Sequence, residues 1–133
     1  MNVQVAVLCD AATDNNGKLN ILGTFDTIGT RQLPAIHPAC AIALRVVFRR
    51  TEEGHHKIRI NFVNTDGKPA LSGIDIPADI QIPKDAISVS RNFIVNIQHL
   101  KFETPGDYSI DIAINGRHEV SIPLAVKYIP RPP

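Results

Sequence analysis

Two alternating apolar runs joined by an Asn-Gly dipeptide dominate the last third of the sequence. Residues 108–114 place Tyr or Ile at every second position, and residues 120–126 do the same with Val, Ile, Leu and Val. Apolar residues with period two indicate β-strands that bury one face. The segment therefore predicts a β-hairpin with a single apolar face, and a chain built around it folds as a layered β-protein.

The turn of this hairpin creates a problem of register. A two-residue Asn-Gly turn followed by regular pairing would set Ile112 opposite Glu119, although residues opposite one another share a face. Pairing Ile112 with Val120 keeps both side chains in the core. That register requires either an odd loop over residues 115–117 or a β-bulge near His118, and we predict that one of the two is present.

The same alternation recurs along most of the chain, and no helical period of useful length appears. About seven to nine short strands separated by turn residues predict an all-β fold, an antiparallel β-sandwich with immunoglobulin-like or Greek-key connections. Pro105-Gly106-Asp107 before Tyr108 supports this, because a tyrosine at such a corner bonds its hydroxyl to upstream backbone. We assign residues 1–129 to one domain and residues 130–133 to a proline-rich tail.

Several segments carry more specific predictions. Residues 3–9 are apolar on nearly both faces, so this strand is expected to be central or covered. Residues 41–50 and 56–63 both place their apolar sets on even numbers, and the odd loop between them predicts an antiparallel pair. Residues 73–83 carry prolines and aspartates on one face, which predicts an edge strand. The irregular stretch 27–39 is expected to be a connection.

Composition limits the classes of function. The 133 residues are 44% hydrophobic but only 5% aromatic, so the core is expected to be aliphatic, and stacking platforms for single-stranded nucleic acid are disfavoured. The net charge of +1 provides no field that attracts nucleic acid or an anionic membrane. We expect no nucleic-acid partner and no membrane association. The absence of a signal-peptide pattern and of a long apolar run predicts a soluble, cytoplasmic protein.

The chemically reactive residue types form no recognisable motif. Cys9 and Cys40 lie in apolar runs and are expected to be buried thiols, with a disulfide as the alternative. His99 and His118 fall on the inward parity near strand ends, where histidines bonded to backbone are commoner than metal ligands. No metal, nucleophile or phosphate-loop motif is present. We therefore expect no cofactor, and whether the chain is an enzyme stays open, with a non-enzymatic role favoured.

Two long stretches of the sequence carry a family likeness. They are MNVQVAVLCDAATDNNGKLNILGTFDTI at residues 1–28 and RNFIVNIQHLKFETPGDYSIDIAINGR at residues 91–117. Over its whole length the chain resembles a family of small bacterial proteins classed as domains of unknown function. The resemblance implies a compact bacterial cytosolic protein, and it implies no activity and no site residues.

The first functional hypothesis is a non-enzymatic protein-interaction or assembly module. Such a module would use a sheet face or edge to bind a protein partner or its own copy. Basic and small aliphatic side chains occur together on the outward side of residues 41–63, a mixture found on contact surfaces as well as on solvated faces. The candidate partner-binding residues are Arg45, Val47, Arg49, Lys57 and Arg59.

The second hypothesis is a small-ligand or metal-binding domain, in one version hydrolytic. Its site would lie on loops at strand ends, where carboxylates and imidazoles occur close together in the sequence. The candidate residues are Asp10, Asp14, His55, His56 and His118.

Overall fold

The computed structural model describes residues 1–129. Its nine strands are β1 (Asn2–Asn15), β2 (Lys18–Thr24), β3 (Thr27–Thr30), β4 (Ala35–Arg49), β5 (Gly54–Val63), β6 (Ile74–Ile80), β7 (Ser88–Phe102), β8 (Gly106–Ile114) and β9 (Arg117–Tyr128). A short 3₁₀ helix, Arg50–Glu52, joins β4 to β5. No helix in this part of the chain is long and apolar enough to cross a membrane. The tail predicted at residues 130–133 lies outside the described residues.

The strands form two sheets that pack as a sandwich. The four-stranded sheet has the order β2-β1-β4-β7, and the five-stranded sheet has the order β3-β9-β8-β5-β6. The predicted all-β sandwich is confirmed, and so is the central position of β1. The expected connection over residues 27–39 is wrong in part, because residues 27–30 form β3 and β4 already begins at Ala35. β3 runs parallel to β9, so a neighbouring strand, and not a local alternating pattern, defines it.

The main core lies between the two sheets and is mostly aliphatic. Its rows come from alternate residues of β4, β5 and β8, whose Ile, Leu and Val side chains are at most 1% exposed. Full burial of one such side chain stabilises the folded state by roughly 1.5–3 kcal/mol. These rows are Ile42, Leu44 and Val46 on β4, Ile58 and Ile60 on β5, and Ile110, Ile112 and Ile114 on β8.

The β8–β9 hairpin solves its register problem with a bulge. Both residues of the Asn-Gly turn have positive φ, 54° and 82°, as a type I′ turn requires. Glu119 is then an extra residue on β9, and this keeps Ile112 opposite Val120. The predicted register and the predicted bulge near His118 are confirmed. One bulge residue reconciles a turn that favours one register with a core that requires another.

The corner before β8 is fixed by Tyr108. Its hydroxyl donates a hydrogen bond to the backbone carbonyl of Thr104 at 2.6 Å. Its ring packs on Phe102, with the ring centroids 4.6 Å apart. The hydrogen bond to upstream backbone predicted from the sequence is present.

The first hairpin leaves its sheet and folds back over the outer face. β1 pairs with β4 as far as Cys9, which lies opposite Ala41. We call the part of the β1–β2 hairpin beyond this point, residues 10–24, the arm. The backbone carbonyl of Gly17 at the tip of the arm accepts a hydrogen bond from Arg45 at 2.8 Å. On β4, Arg45 lies beyond Ala41 in the direction of the start of β1. The arm has therefore reversed its direction, and its tip lies across the outer face of the sheet.

The bend of the arm depends on Gly23. Its φ of 68° lies in the left-handed region, which glycine adopts without a steric penalty. A Cβ atom at this position would lie 2.5 Å from Oδ2 of Asp10. The positive φ therefore disfavours a side chain at residue 23, and the Asp10 carboxylate would have to move to make room for one.

The arm covers an apolar patch on the outer face of the four-stranded sheet. Three small residues of this face are completely buried, although the main core lies on the other side of the sheet. Small side chains suit the site because a second layer of backbone packs directly on them. The buried residues are Cys9, Ala41 and Ala43, and the residues packed on them are Val7, Ala12, Leu19 and Ile94. One part of the molecule therefore has three layers.

Both cysteines are free and buried, so the prediction of buried thiols is confirmed. Burial raises the pKa of the Cys40 thiol to about 11. Burial raises the pKa of Cys9 as well. A thiol that keeps its proton is a poor nucleophile, because the thiolate is the reactive form.

We expect the free energy of unfolding to fall as the pH rises from about 9 towards 11. The unfolded chain releases the Cys40 proton near the ordinary thiol pKa, whereas the folded chain keeps it until about pH 11. Alkali therefore favours the unfolded state over this interval. Urea unfolding at several pH values measures the effect, and Cys40→Ala is the control because it lacks this titration. An equal fall in both proteins would contradict the prediction.

Candidate functional site

The five predicted partner-binding residues lie on two opposite faces of the sandwich. β4 belongs to the four-stranded sheet and β5 to the five-stranded sheet, so the predicted pairing of residues 41–50 with 56–63 is wrong. The helix Arg50–Glu52 carries the chain from one sheet to the other. Parity does not distinguish this crossover from a hairpin, because both strands bury even-numbered residues. Arg45, Val47 and Arg49 lie on one outer face, and Lys57 and Arg59 lie on the other.

Arg45 holds the arm in place. Besides its bond to Gly17, Nη1 donates to Oδ1 of Asn92 at 2.8 Å, and Nε donates to Oε1 of Gln4 at 3.3 Å. Nδ2 of Asn92 donates in turn to Oδ2 of Asp14 at 2.9 Å. This bond, followed by the bond from the Gly17 amide, lowers the pKa of Asp14. Ala43, one of the small aliphatic residues that suggested a contact surface beside Arg45, packs with residues of the chain's own arm.

Lys57 and Arg59 pair with the edge strand β6. Nη1 of Arg59 lies 2.9 Å from both carboxylate oxygens of Asp75, and Nζ of Lys57 lies 3.7 Å from the same carboxylate. The hydrogen bond from Arg59 lowers the pKa of Asp75. These ion pairs are exposed and contribute little to stability. They partly balance the two positive charges, so this face is a mixed charged surface and not a basic patch.

The residues of the ligand hypothesis lie in separate parts of the sandwich. Asp10 and Asp14 belong to the arm, whereas His55 contacts Asp79 on β6. Both ring nitrogens of His56 contact other parts of the fold, the Glu52 carbonyl and the side chain of Asn115. Within residues 1–129, no group of three or more His, Cys, Asp and Glu side chains is placed to hold a metal ion.

The inward orientation predicted for His99 and His118 is wrong, since both residues are exposed. His99 has a positive φ of 55° and interrupts the pairing of β7 with β4. The bulge at Glu119 reverses the parity of His118. Counting parity assumes an unbroken strand, so each irregularity turns a side chain to the other face.

A polar network that sequence reasoning missed lies on the outer face of the five-stranded sheet. Oδ1 of Asp111 accepts hydrogen bonds from Ser109 at 2.6 Å and from Ser121 at 2.8 Å. Nε2 of His118 lies 2.8 Å from Oγ of Ser121. In a Ser-His-Asp triad the imidazole stands between the hydroxyl and the carboxylate, whereas here the hydroxyl stands between the other two. The carboxylate therefore does not orient the imidazole as a base.

The four edge strands of the two sheets differ in their protection. β3 is only four residues long, and β2 belongs to the arm. β6 is the edge strand that the sequence predicted. Since the Asn115 amide donates to the Lys57 carbonyl, odd-numbered residues of β5 bond β8, and odd-numbered residues of β6 face the free edge. Pro77 therefore removes a donor from that edge, and Asp75 and Asp79 add charge beside it.

β7 is the longest edge strand, and it lacks such protection. Its 15 residues pair with β4 on one side, and within residues 1–129 no strand pairs with the other side. The segment from Asn92 to Gln98 contains no proline and no charged residue. Edge strands are usually short or guarded by charge or proline, because their unpaired N–H and C=O groups accept another strand.

The even-numbered residues of β7 present the free hydrogen-bonding groups. The Arg50 amide donates to the Ile87 carbonyl at 3.0 Å, one step beyond the pair Arg49 and Ser88. Because bonded and non-bonded pairs alternate in an antiparallel ladder, the odd-numbered residues of β7 bond β4. The N–H and C=O groups of Asn92, Ile94, Asn96 and Gln98 point to the free edge. Those of Ser90 point the same way, but its carbonyl accepts a hydrogen bond from Nη1 of Arg91 at 3.2 Å.

A comparison with protein families matches residues 4–127 to the family of unknown function DUF6941. The chain belongs to the DUF6941 family. The likeness to a family of unknown function predicted from the sequence is thereby confirmed. A comparison of the DUF6941 chain with curated proteins finds no match.

The sandwich of this DUF6941 protein is open along β7. Phe93, Val95 and Ile97 pack against the core but stay partly exposed. Their neighbours Leu44 and Ile42 on β4 are 0% exposed. An added strand would bury the exposed part of the β7 side chains and would bond the free backbone groups at the same time. The edge of β7 is therefore the candidate functional site.

Proposed function

We propose that this DUF6941 protein is a non-enzymatic protein-interaction or assembly module that binds an extended strand along the free edge of β7. The observation that carries the proposal is a 15-residue edge strand whose segment from Asn92 to Gln98 is uncharged. Within residues 1–129, no strand pairs with the outer backbone groups of this segment. In strand addition, main-chain hydrogen bonds supply affinity, and pockets for alternate side chains supply specificity.

The contrast between β6 and β7 supports the proposal. β6 carries Pro77 and two aspartates at its free edge, and β7 carries no comparable guard between Asn92 and Gln98. Protection against unwanted pairing is needed at every long edge of a small domain. An edge that is left open beside one that is guarded is typical of an edge that binds another strand.

Two of the residues predicted from the sequence border this edge. Val47 and Arg49 lie on the outer face of β4, one strand in from β7, opposite serine residues of that strand. Arg45 is committed to the arm, and Lys57 and Arg59 belong to the other sheet. The proposed surface therefore contains the edge of β7 with Val47 and Arg49 beside it.

We place this module in the cytoplasm of a bacterium, as the resemblance of the sequence implies. Two free, buried cysteines fit a compartment that keeps thiols reduced.

Site-specific photo-crosslinking tests the proposed edge. We expect a photoreactive phenylalanine analogue at Asn96 to crosslink the protein to a binding partner in cell extract. The same analogue at Asp79, on the edge of β6, or at Ala39, one strand in from β7, is expected to crosslink much less. All three residues are exposed, so access to the probe is matched. Crosslinks at Asp79 or Ala39 without crosslinks at Asn96, or none at any position, would contradict the proposal.

A further inference from the structure

We infer that the strand bound by the β7 edge is β7 of a second copy, so that two chains pair edge to edge about a two-fold axis. The inference rests on the proposed function, because it requires this edge to accept a strand. A two-fold interface uses the same patch on both copies and therefore has to be complementary to itself.

The side chains of β7 have the alternation that its own edge requires. A strand added there has to place apolar side chains on the core side, next to Phe93 and Val95, which are partly exposed. On the outer side it meets the exposed amide side chains of Asn96 and Gln98. β7 itself provides apolar residues on the first side, and on the second it provides amide side chains on either side of Ile94, which packs against the outer patch. A second copy thus satisfies both faces of the edge with one sequence.

A symmetric register exists in which the backbone groups also match. With Ile94 opposite Ile94 of the second copy, Asn92 lies opposite Asn96 and Phe93 lies opposite Val95. The bonded pairs of this register join even-numbered residues of both copies, whose N–H and C=O groups are the free ones. Over residues 90–98 the two copies together would form about eight main-chain hydrogen bonds, because the Ser90 carbonyl of each copy already accepts a bond from Arg91.

The charges near the edge do not oppose this register. Arg91 is the one charged residue between Ser88 and Gln98, and its Nη2 donates to the backbone carbonyl of Gln81 in the same chain at 3.3 Å. In the symmetric register Arg91 lies opposite Ile97, so no charge faces its own copy. The two four-stranded sheets then continue into one another, and the two cores meet along Phe93 and Val95.

Substitution of Asn96 tests the inference on the purified full chain. Asn96→Pro removes a donor from the free edge without removing a bond to β4, and Asn96→Lys adds a charge at the same place. Ala39→Lys is the matched control, since it adds the same charge to the same outer face one strand further in. We expect sedimentation equilibrium to show a dimer for the wild type and for Ala39→Lys. Both Asn96 variants should weaken the dimer at least about tenfold, which corresponds to about 1.4 kcal/mol.

Amide hydrogen exchange supplies an independent readout. The amides of Asn92, Ile94 and Asn96 should exchange more slowly as the protein concentration rises, because dimerisation protects them. The amides of Asp75 and Asp79 on the edge of β6 should not respond to concentration.

The possible outcomes separate this inference from the proposed function. A wild-type chain that stays monomeric at high concentration would overturn the inference, as would a dimer that both Asn96 variants leave unchanged. If the proline variant does not fold, the test rests on Asn96→Lys, which changes an exposed side chain. Thermal unfolding of Asn96→Lys then shows whether its fold is intact. If the chain is monomeric but Asn96 photo-crosslinks to a different protein, the proposed function stands without self-pairing. If Asn96 forms no crosslink, both are wrong.

Discussion

Deletion of Glu119 is expected to leave the fold intact, whereas deletion of Ser121, two residues further along β9, is expected to lower the free energy of unfolding by about 3 kcal/mol or more. Glu119 is the extra residue of the bulge. Without it, His118 and Val120 follow one another and pair regularly with β8, and every later residue of β9 keeps its partner.

After deletion of Ser121, no register of β9 keeps all of its apolar side chains on the core side. If the bulge stays, Ile122 moves to the outer face of the sheet and Leu124 follows it, so buried apolar side chains are exposed. If the bulge closes instead, Glu119 takes the place of Val120 opposite Ile112, and a carboxylate enters the core. Both alternatives destabilise the folded state. Urea unfolding of the two deletion variants measures the difference, and equal midpoints would show that the bulge does not set the register.

Replacement of Arg45 by alanine is expected to expose the thiol of Cys9. Cys9 is 0% exposed beneath the arm, and Arg45 bonds the arm tip at Gly17 and supports Asn92, which bonds Asp14. Loss of these contacts raises the fraction of molecules in which the arm is locally open. A hydrogen bond to a charged group contributes about 1.5–3 kcal/mol, so we expect labelling of Cys9 to become roughly tenfold faster or more.

The experiment uses a Cys40→Ala background, in which Cys9 is the single thiol. Arg49→Ala is the matched control, because Arg49 lies on the same strand and outer face but is exposed and does not bond the arm. Labelling in that variant should stay within about twofold of the parent. Similar rates for Arg45→Ala and Arg49→Ala would mean that Arg45 does not hold the arm closed. Urea unfolding of both variants separates local opening from a global loss of stability.

Features of the fold that depend on near neighbours in the chain could be predicted from the sequence. The register of β8 and β9 follows from keeping Ile112 and Val120 on one face, because the turn and the core leave few alternatives. The edge position of β6 follows from Pro77, since a proline cannot donate to a neighbouring strand. The hydroxyl bond of Tyr108 follows from the turn that precedes it. Each of these conclusions uses a constraint that acts within a few residues.

The partner of a strand could not be predicted where that partner lies far away in the sequence. Parity shows that β4 and β5 bury even-numbered residues, but it does not show whether they pair or face each other across the core. The small residues Ala41 and Ala43 indicate close contact on the outer face, and the sequence does not say that the contact is with the arm. β3 has no pattern of its own and exists because β9 lies beside it.

The candidate site could be predicted only in part. An edge strand is defined by a missing neighbour, and no local property of a sequence records that directly. The signal available was the segment from Asn92 to Gln98, which is rich in apolar residues and carries no charge. A central strand has the same appearance, so the topology was needed to show that this segment lies at an edge. Val47 and Arg49, predicted from their outward parity, lie beside it.

The position of β4 between β1 and β7 has a consequence for folding during synthesis. One side of β4 pairs with β1, which the ribosome has already made, but the other side pairs with residues 88–102. Ala35 can meet its partner Phe102 only after most of the chain has been translated. Until then the most apolar strand of the nascent protein has one unpaired side, a state prone to aggregation. The rate of translation through residues 50–102 therefore sets how long this side of β4 stays unpaired in the nascent chain.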